Sequence, residues 1–320
     1  MKFARLAAAA LAFAAPAASS LAQNYPNAPI RIISGFPAGT TADISARVVG
    51  AKIGQILNGQ VVVENRPGAA SSIAAASVAR ADKDGYTLYI GSAANIINAA
   101  QNPNLTFDFI KDFTPITLMT STPTVLAVTP ELGVKNVKEL IAAAKAKPDS
   151  ISFGSSGVAS STHLALELFK SLADVKIQHV PYTGSPQVVT DMLANRIQGY
   201  FAPASTVMGH VRAGKLVALG TTDPARTDIL PDLPTMIEAG VPGCVSVLWF
   251  GLVAPTGTPQ AVLDRLSKAA NEALKDPEVA KSLQGASIAR YGGSPADFSR
   301  HIAEENKRWT DVITKAGLKK

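Results

Sequence analysis

Short runs of β-branched and aromatic residues alternate along this chain with helical stretches of roughly ten to fifteen residues, and that alternation restricts the fold most. Ile30-Arg31-Ile32-Ile33 reads as a strand, and Ala42 to Leu57 follows with helical spacing at Ile44, Val48, Ile53 and Ile56. Val61-Val62-Val63, an Ala-rich helix from about Ala69 to Ala81, and Tyr86-Thr87-Leu88-Tyr89-Ile90 continue the pattern. Strands joined through helices form βαβ units and a mostly parallel sheet, so the fold class is α/β.

Near Val125-Leu126-Ala127-Val128 the chain passes into a second unit of the same kind. Helices are expected at Val137–Lys145, along the face Leu164, Leu168, Phe169, Leu172, and at Pro186–Ala194. Strands are expected at Ile151–Phe153, Gln178–Val180, Ile197–Phe201 and Leu216–Leu219. Val245–Val253, an apolar run inside the Pro/Gly-rich stretch Pro224–Pro259, returns to the first unit. Three helices finish the chain, at about Pro259–Leu274, Asp276–Gln284 and Pro295–Ala316, and no internal repeat is present. Two crossings, near 123–128 and 245–253, make a two-strand hinge between two lobes that close on a ligand.

The first residues bear on compartment. Lys2 and Arg5 precede an Ala/Leu/Phe run from Leu6 to Ala18, and Ser20-Leu21-Ala22 gives a small-x-small site before Gln23. That is the form of a cleaved secretory leader, 1–22. As a membrane anchor the run is short and Pro16 interrupts it. A cut near Ala22 leaves about 298 of the 320 residues, enough for two domains with their own cores. The expected division is 23–124 plus 246–320 for lobe 1 and 125–245 for lobe 2.

Composition excludes several classes. Hydrophobic residues make up 47% and charged ones 17%, which opposes disorder. The single cysteine, Cys244, rules out an internal disulfide framework and multi-cysteine metal sites, and is expected to be a small buried hydrophobe. Of the formal charge of +6, Lys2 and Arg5 belong to the leader, leaving about +4, scattered and without a basic run, so nucleic acid is not an expected partner.

Two segments join a strand to a helix through small residues: Ser34-Gly35-Phe36-Pro37-Ala38-Gly39-Thr40-Thr41-Ala42-Asp43, and Gly154-Ser155-Ser156-Gly157-Val158-Ala159-Ser160-Ser161-Thr162-His163. Such loops lie at the carboxyl ends of parallel strands, where ligands bind. The helix start offers N–H groups and partial positive charge, and Ser/Thr hydroxyls add neutral donors. A carboxylate held this way needs no Arg or Lys. Neither loop fits a nucleotide fingerprint. The four histidines are not at metal-ligand spacing, no G-x-S-x-G elbow occurs, and His163 is expected to be a structural hydrogen-bonder. Asp43 is expected to tie down the first helical turn.

The chain resembles the Bug family, the extracytoplasmic substrate-binding proteins of tripartite tricarboxylate transporters. The matching segments run from Tyr25-Pro26 and Pro29-Ile30-Arg31 to the C-terminus. They include Phe36-Pro37-Ala38-Gly39 with Asp43 and Ala46-Arg47, Val63-Glu64-Asn65-Arg66-Pro67-Gly68-Ala69 and Asp84-Gly85-Tyr86-Thr87-Leu88. Later come His163-Leu164 with Glu167-Leu168-Phe169, Val180-Pro181-Tyr182 with Gly184, Leu233-Pro234-Thr235, and Trp249-Phe250-Gly251-Leu252. The resemblance implies a type II-like periplasmic binding protein, a monomer, that closes on an organic carboxylate and delivers it to membrane transporter subunits of the tripartite tricarboxylate type. No cofactor, metal or catalytic residue is implied. It places first-lobe ligand contacts on Phe36, Ala38, Gly39, Thr40, Asp43 and Ser92, and second-lobe contacts on Ser155, Ser156, Ser160, Ser161, Thr162, His163, Tyr182, Phe201 and Ala202.

The sequence departs from the family pattern at Thr40-Thr41, at Ala159, and at Ala202-Pro203, where many members carry an Asp. That Asp would suit a ligand amino group, so its absence points toward a simple or aromatic carboxylate. Two other readings stand beside this one: a sensor presenting its closed form to a membrane kinase, and a secreted hydrolase using His163 and a loop serine.

Overall fold

The computed structural model describes residues 25–102 and 104–315, and the expected leader lies outside them. The chain runs β1 (Ile30–Ser34), α1 (Thr41–Leu57), β2 (Val61–Asn65), α2 (Ser72–Ala79), β3 (Thr87–Ser92), α3 (Ala93–Gln101) and β4 (Phe113–Thr122). It continues with β5 (Thr124–Val128), α4 (Val137–Ala146), β6 (Ser152–Ser155), α5 (Ser161–Ala173), β7 (Gln178–Pro181) and α6 (Ser185–Leu193). The remainder is β8 (Gly199–Pro203), α7 (Ala204–Arg212), β9 (Val217–Thr221), β10 (Leu248–Pro255), α8 (Gln260–Lys275), α9 (Pro277–Gly285), β11 (Ala289–Arg290) and α10 (Pro295–Lys315).

The strands form two sheets. One has the order β11-β4-β10-β3-β1-β2 and the other β7-β6-β8-β5-β9. In each, three strands are parallel (β2, β1, β3 and β7, β6, β8), as helical crossovers require. The strands that carry the chain between sheets pair antiparallel: β10 with β3 and β4, and β5 with β8 and β9. The parallel character expected from sequence is therefore confined to those three strands in each sheet.

Both faces of both sheets are buried, which explains the near-continuous apolar runs. Ile30 and Ile32 of β1 join one core with Ala42, Ala46, Val49 and Ile53 of α1. Ile33 points the other way, into a core with Trp249, Phe298 and Trp309. In the second sheet Leu126 and Val128 face one cluster, and Val125 and Ala127 face its opposite. Cys244 is buried as a small hydrophobe, and burial pushes its thiol pKa up to about 12.

One polar centre ties α10 to the first sheet. Glu305 Oε2 accepts from the indole N–H of Trp249 at 2.9 Å and of Trp309 at 3.1 Å, and Arg308 donates to both Glu305 oxygens. Burial raises the Glu305 pKa, but Arg308 and the Trp249 N–H outweigh it and hold the carboxyl below its ordinary range.

Several elements depart from the sequence reading. The helix expected from Ala69 starts only at Ser72, because Ala69, Ala70 and Ser71 all take left-handed φ of 47°, 49° and 75°. That turn presses Ser71 onto Gly35, where a Cβ would lie 1.8 Å from Ser71 Oγ. The other unanticipated elements are the helices α3 and α7, the two-residue strand β11, and the strand β4, whose threonines and Pro115 break up its apolar run.

The sheets are joined at Pro123, between β4 and β5, and through 222–247, between β9 and β10. These connections lie side by side. Thr222 N–H donates to Thr124 O at 2.9 Å, Ser246 N–H to Thr222 O at 2.8 Å, and Leu248 is in register with Thr122. The parallel strands' carboxyl ends, with their loops, face one another across the gap this leaves.

Candidate ligand cleft

A cavity lies between the sheets, enclosing about 420 Å3 of non-atom space that is partly open to solvent. Its wall is Phe36, Thr40, Thr41, Ala42, Ser92, Ser156, Ser161, Thr162, Gly184, Ser185, Pro203, Leu248 and Phe250. Five of these segments are helix starts: α1 at Thr41, α3 capped by Ser92, α5 at Ser161, α6 at Ser185, and α7 capped by Pro203. Each start has backbone N–H groups without intrahelical partners and carries partial positive charge. Two come from the first sheet's side and three from the second's. Among the described residues no charged side chain lines the wall.

Six of the expected site residues stand on that wall: Phe36, Thr40, Ser92, Ser156, Ser161 and Thr162. Phe36 meets Phe250 edge to face with ring centroids 6.1 Å apart. Thr40 Oγ1 donates to Pro37 O at 2.8 Å, closing the turn before α1. Ser92 caps α3, its N–H donating to Asn95 Oδ1 at 3.0 Å. Thr162 Oγ1 accepts from Ser156 N–H at 2.9 Å and lies 3.0 Å from the hydroxyls of Ser156 and Ser160.

The remaining expected contacts stand behind the wall. Ala38 and Gly39 are exposed on the outer turn; Gly39 has φ +77°, with open space around a Cβ. Asp43 is fully engaged: Oδ2 accepts from Gly39 N–H at 3.0 Å, and Oδ1 from Arg47 Nε and Asn65 Nδ2 at 2.9 Å each. Burial raises its pKa, but those donors outweigh burial and lower it overall, so Asp43 is a carboxylate that secures the loop. Ser160 caps α5 by accepting from His163 N–H at 3.2 Å and donating to Gly157 O at 2.7 Å. Tyr182 donates its hydroxyl to Asp191 Oδ2 at 2.8 Å.

Phe201 and Ala202 do not send their side chains to the wall. Strand alternation sends the Phe201 ring into the core beside Phe153 and Phe169, and Ala202 into the opposite cluster. The wall begins one residue later, at Pro203.

Two histidines brace the second loop. The His163 and His179 rings stack at 4.0 Å. His163 Nδ1 accepts from Ala159 N–H at 3.3 Å, and His179 Nε2 lies 2.6 Å from Ser155 Oγ. The latter spacing would suit a nucleophile and its base. Ser155 is fully buried and off the cavity wall, so no substrate in the cavity meets it. Burial, then the neighbouring His163, lowers the His179 pKa to about 4.

The expected contacts left out Thr41 and Ala42, within the first donor loop, and Gly184, Ser185, Pro203, Leu248 and Phe250 elsewhere on the wall. They also left out Tyr200, whose buried hydroxyl is 2.8 Å from Ser185 Oγ. Burial pushes the Tyr200 pKa up to about 12, so the phenol stays neutral. The available signals were the turn Thr183-Gly184-Ser185-Pro186 before a helix, and the β10 run, read as hinge alone.

The sides meet around the cavity. Thr41 Oγ1 is 2.5 Å from Ser205 Oγ, Pro37 packs on Gly184, and Arg212 Nη2 donates to Ser287 Oγ at 3.2 Å. Two α/β sheets bridged by paired strands, with helix starts converging on an uncharged cleft, define a two-lobed solute-binding protein. The chain belongs to the tripartite tricarboxylate transporter family receptors, whose family model matches residues 45–318. It is 33% identical to the UPF0065 protein in the tcbD-tcbE intergenic region of Pseudomonas sp. strain P51, covering 97% of this chain and 94% of that one. It is 32% identical to Protein BugT of Bordetella pertussis, over 97% and 95% of the two chains. Among solved structures, one described as a periplasmic transporter shares 39% identity and a TM-score of 0.89, over 92% and 99%. R. palustris Rpa4515 with adipate shares 33% and 0.88, over 92% and 98%. MatC from Rhodopseudomonas palustris with bound malate shares 27% and 0.85, over 90% and 100%.

Proposed function

We propose that this protein is a periplasmic receptor that captures a small organic carboxylate by closing two lobes, and delivers it to the membrane subunits of a tripartite tricarboxylate transporter. The lobes are 23–124 with 246–320, and 125–245; the leader is removed near Ala22, and the receptor acts as a monomer without catalysis. The observation that carries this reading is the convergence of five helix N-termini, from both lobes, on a cleft without charged side chains. A carboxylate there accepts from N–H and O–H donors and needs no counter-ion. Adipate and malate in two relatives support the ligand class.

Closure follows from the geometry. A ligand touching Thr41 and Thr162 together gains both sets of donors only when the lobes meet, so its differential affinity draws the equilibrium toward the closed form. A thermal-shift screen over carboxylates tests the reading. An acid at 100-fold above its dissociation constant adds about 2.7 kcal/mol of stability and raises the melting temperature. A panel of mono-, di- and tricarboxylates with no effect at millimolar concentration contradicts it.

A further inference from the structure

The cleft separates two chemistries, and their placement specifies the ligand's body as well as its head. Donors sit at helix starts, with Thr41 on α1, Thr162 on α5 and Ser185 on α6. Another part of the wall is hydrocarbon: Phe36 and Phe250 pack edge to face, and Leu248, two residues before Phe250 on the same face of β10, extends the surface.

An ammonium group has no place on this wall. It would meet the positive ends of helices, and no acidic side chain lines the cavity among the described residues. The hydroxyl oxygens are also engaged, Thr162 with Ser156, and Ser185 with Tyr200. A hydroxyl directed from the ligand's body onto Phe36, Leu248 and Phe250 would find no donor or acceptor in those side chains, and a buried polar group without a partner costs about tenfold or more in affinity. A third carboxylate would face the same surface carrying a full charge.

Building on the carboxylate-receptor reading above, we propose that the ligand is a carboxylate with an unsubstituted hydrocarbon body. It carries one or two carboxylates and no ammonium, hydroxyl or third acid group. The donor-rich helix starts take its charged ends and the Phe36–Phe250–Leu248 surface takes its methylenes or ring.

Isothermal titration of the mature protein with two matched series tests this. One is succinate, malate, aspartate and tricarballylate; the other is 3-phenylpropionate, 3-phenyllactate and phenylalanine. In whichever series binds, the hydrocarbon parent should bind at least about tenfold more tightly than each substituted partner. Malate, aspartate, tricarballylate, phenyllactate or phenylalanine equalling its parent overturns the proposal while leaving carboxylate capture intact. Silence from every acid of both series, and from adipate titrated beside them, overturns the receptor reading itself and this proposal with it. Phe36→Ser, at a half-buried loop position, should narrow the parent-to-hydroxyacid ratio severalfold. An unchanged ratio places the ligand's body against another surface and also counts against the proposal.

Discussion

Pro37 and Gly184 touch across the cleft, so closely that a Cβ on Gly184 would come within 2.6 Å of Pro37 Cγ. Gly184 has an extended backbone, φ 178°, which any residue can adopt, so its missing side chain matters for space alone. Gly184→Ala should leave each lobe's melting temperature within a few degrees of wild type. It should weaken ligand binding about tenfold or more, because the closed form must open by the width of a methyl group. Calorimetric titration checks this, and wild-type affinity would show that closure does not need the contact.

The buried Tyr200 hydroxyl lies 2.8 Å from Ser185 Oγ, on the start of α6 that lines the cavity. Tyr200→Phe keeps the buried ring and removes that bond. Affinity should fall about tenfold, since a lost buried hydrogen bond costs about 1–3 kcal/mol. A Tyr200→Phe protein that binds as wild type does would mean that the Ser185 hydroxyl is set by the backbone alone.

His179 gives the fold an acid-side sensitivity. Its folded pKa of about 4 lies below the 6.5 of an unperturbed histidine, so the unfolded chain takes a proton that the folded one refuses. Stability from this residue is complete above about pH 6.5 and is lost as pH falls toward 4. His179→Gln, able to keep the bond to Ser155, should flatten the melting temperature between pH 6.5 and 4.5. An undiminished slope would assign the sensitivity to other groups.

Asp223 behaves in the opposite sense. Burial raises its pKa to about 6, only partly offset by the Thr221 hydroxyl and its own backbone N–H, and its Oδ2 has no hydrogen-bond partner among the described residues. Since the folded value exceeds the unfolded 3.8, its contribution is present below about pH 4 and lost as pH rises through 6. Asp223→Asn should therefore raise the melting temperature at pH 7.5 and change it little at pH 4. Equal effects at both pH values would rule out a buried charge as the cause.

Glu305 holds two indole N–H groups and an arginine at the seam between β10 and α10. Glu305→Ala strands these donors in a buried setting and should cost about 2–4 kcal/mol in denaturant unfolding. Glu305→Gln, which keeps an acceptor, should cost less; equal losses would point to packing rather than hydrogen bonding.

How far the sequence revealed this depends on the physical signal at each position. Apolar periodicity exposed α1 and α8 to within a residue, because each buries one face on a sheet, and it located α5 through Leu164 and Phe169, although Leu172, read on the same face, is 45% exposed. Periodicity failed at Ala69–Ser71, where the contact between Ser71 and Gly35 overrides the helix propensity of alanine. It failed again at α7, whose internal Gly209 and polar Ser205 and Thr206 resemble a loop. The donor loops were legible, as Phe36, Thr40 and Thr162 show. Leu248 and Phe250 were not read as cleft residues, because facing a cavity and facing a core give the same apolar letters.

Carboxylate capture between the lobes is tested most directly by a crystal structure of the protein grown with the acid giving the largest thermal shift. The expected density is a carboxylate on the starts of α5 and α6, within hydrogen-bond reach of Ser156, Ser161, Thr162 or Ser185, with Thr41 facing it from α1. An acid bound outside this cavity, or a closed cleft left without it at saturating concentration, would contradict the assignment.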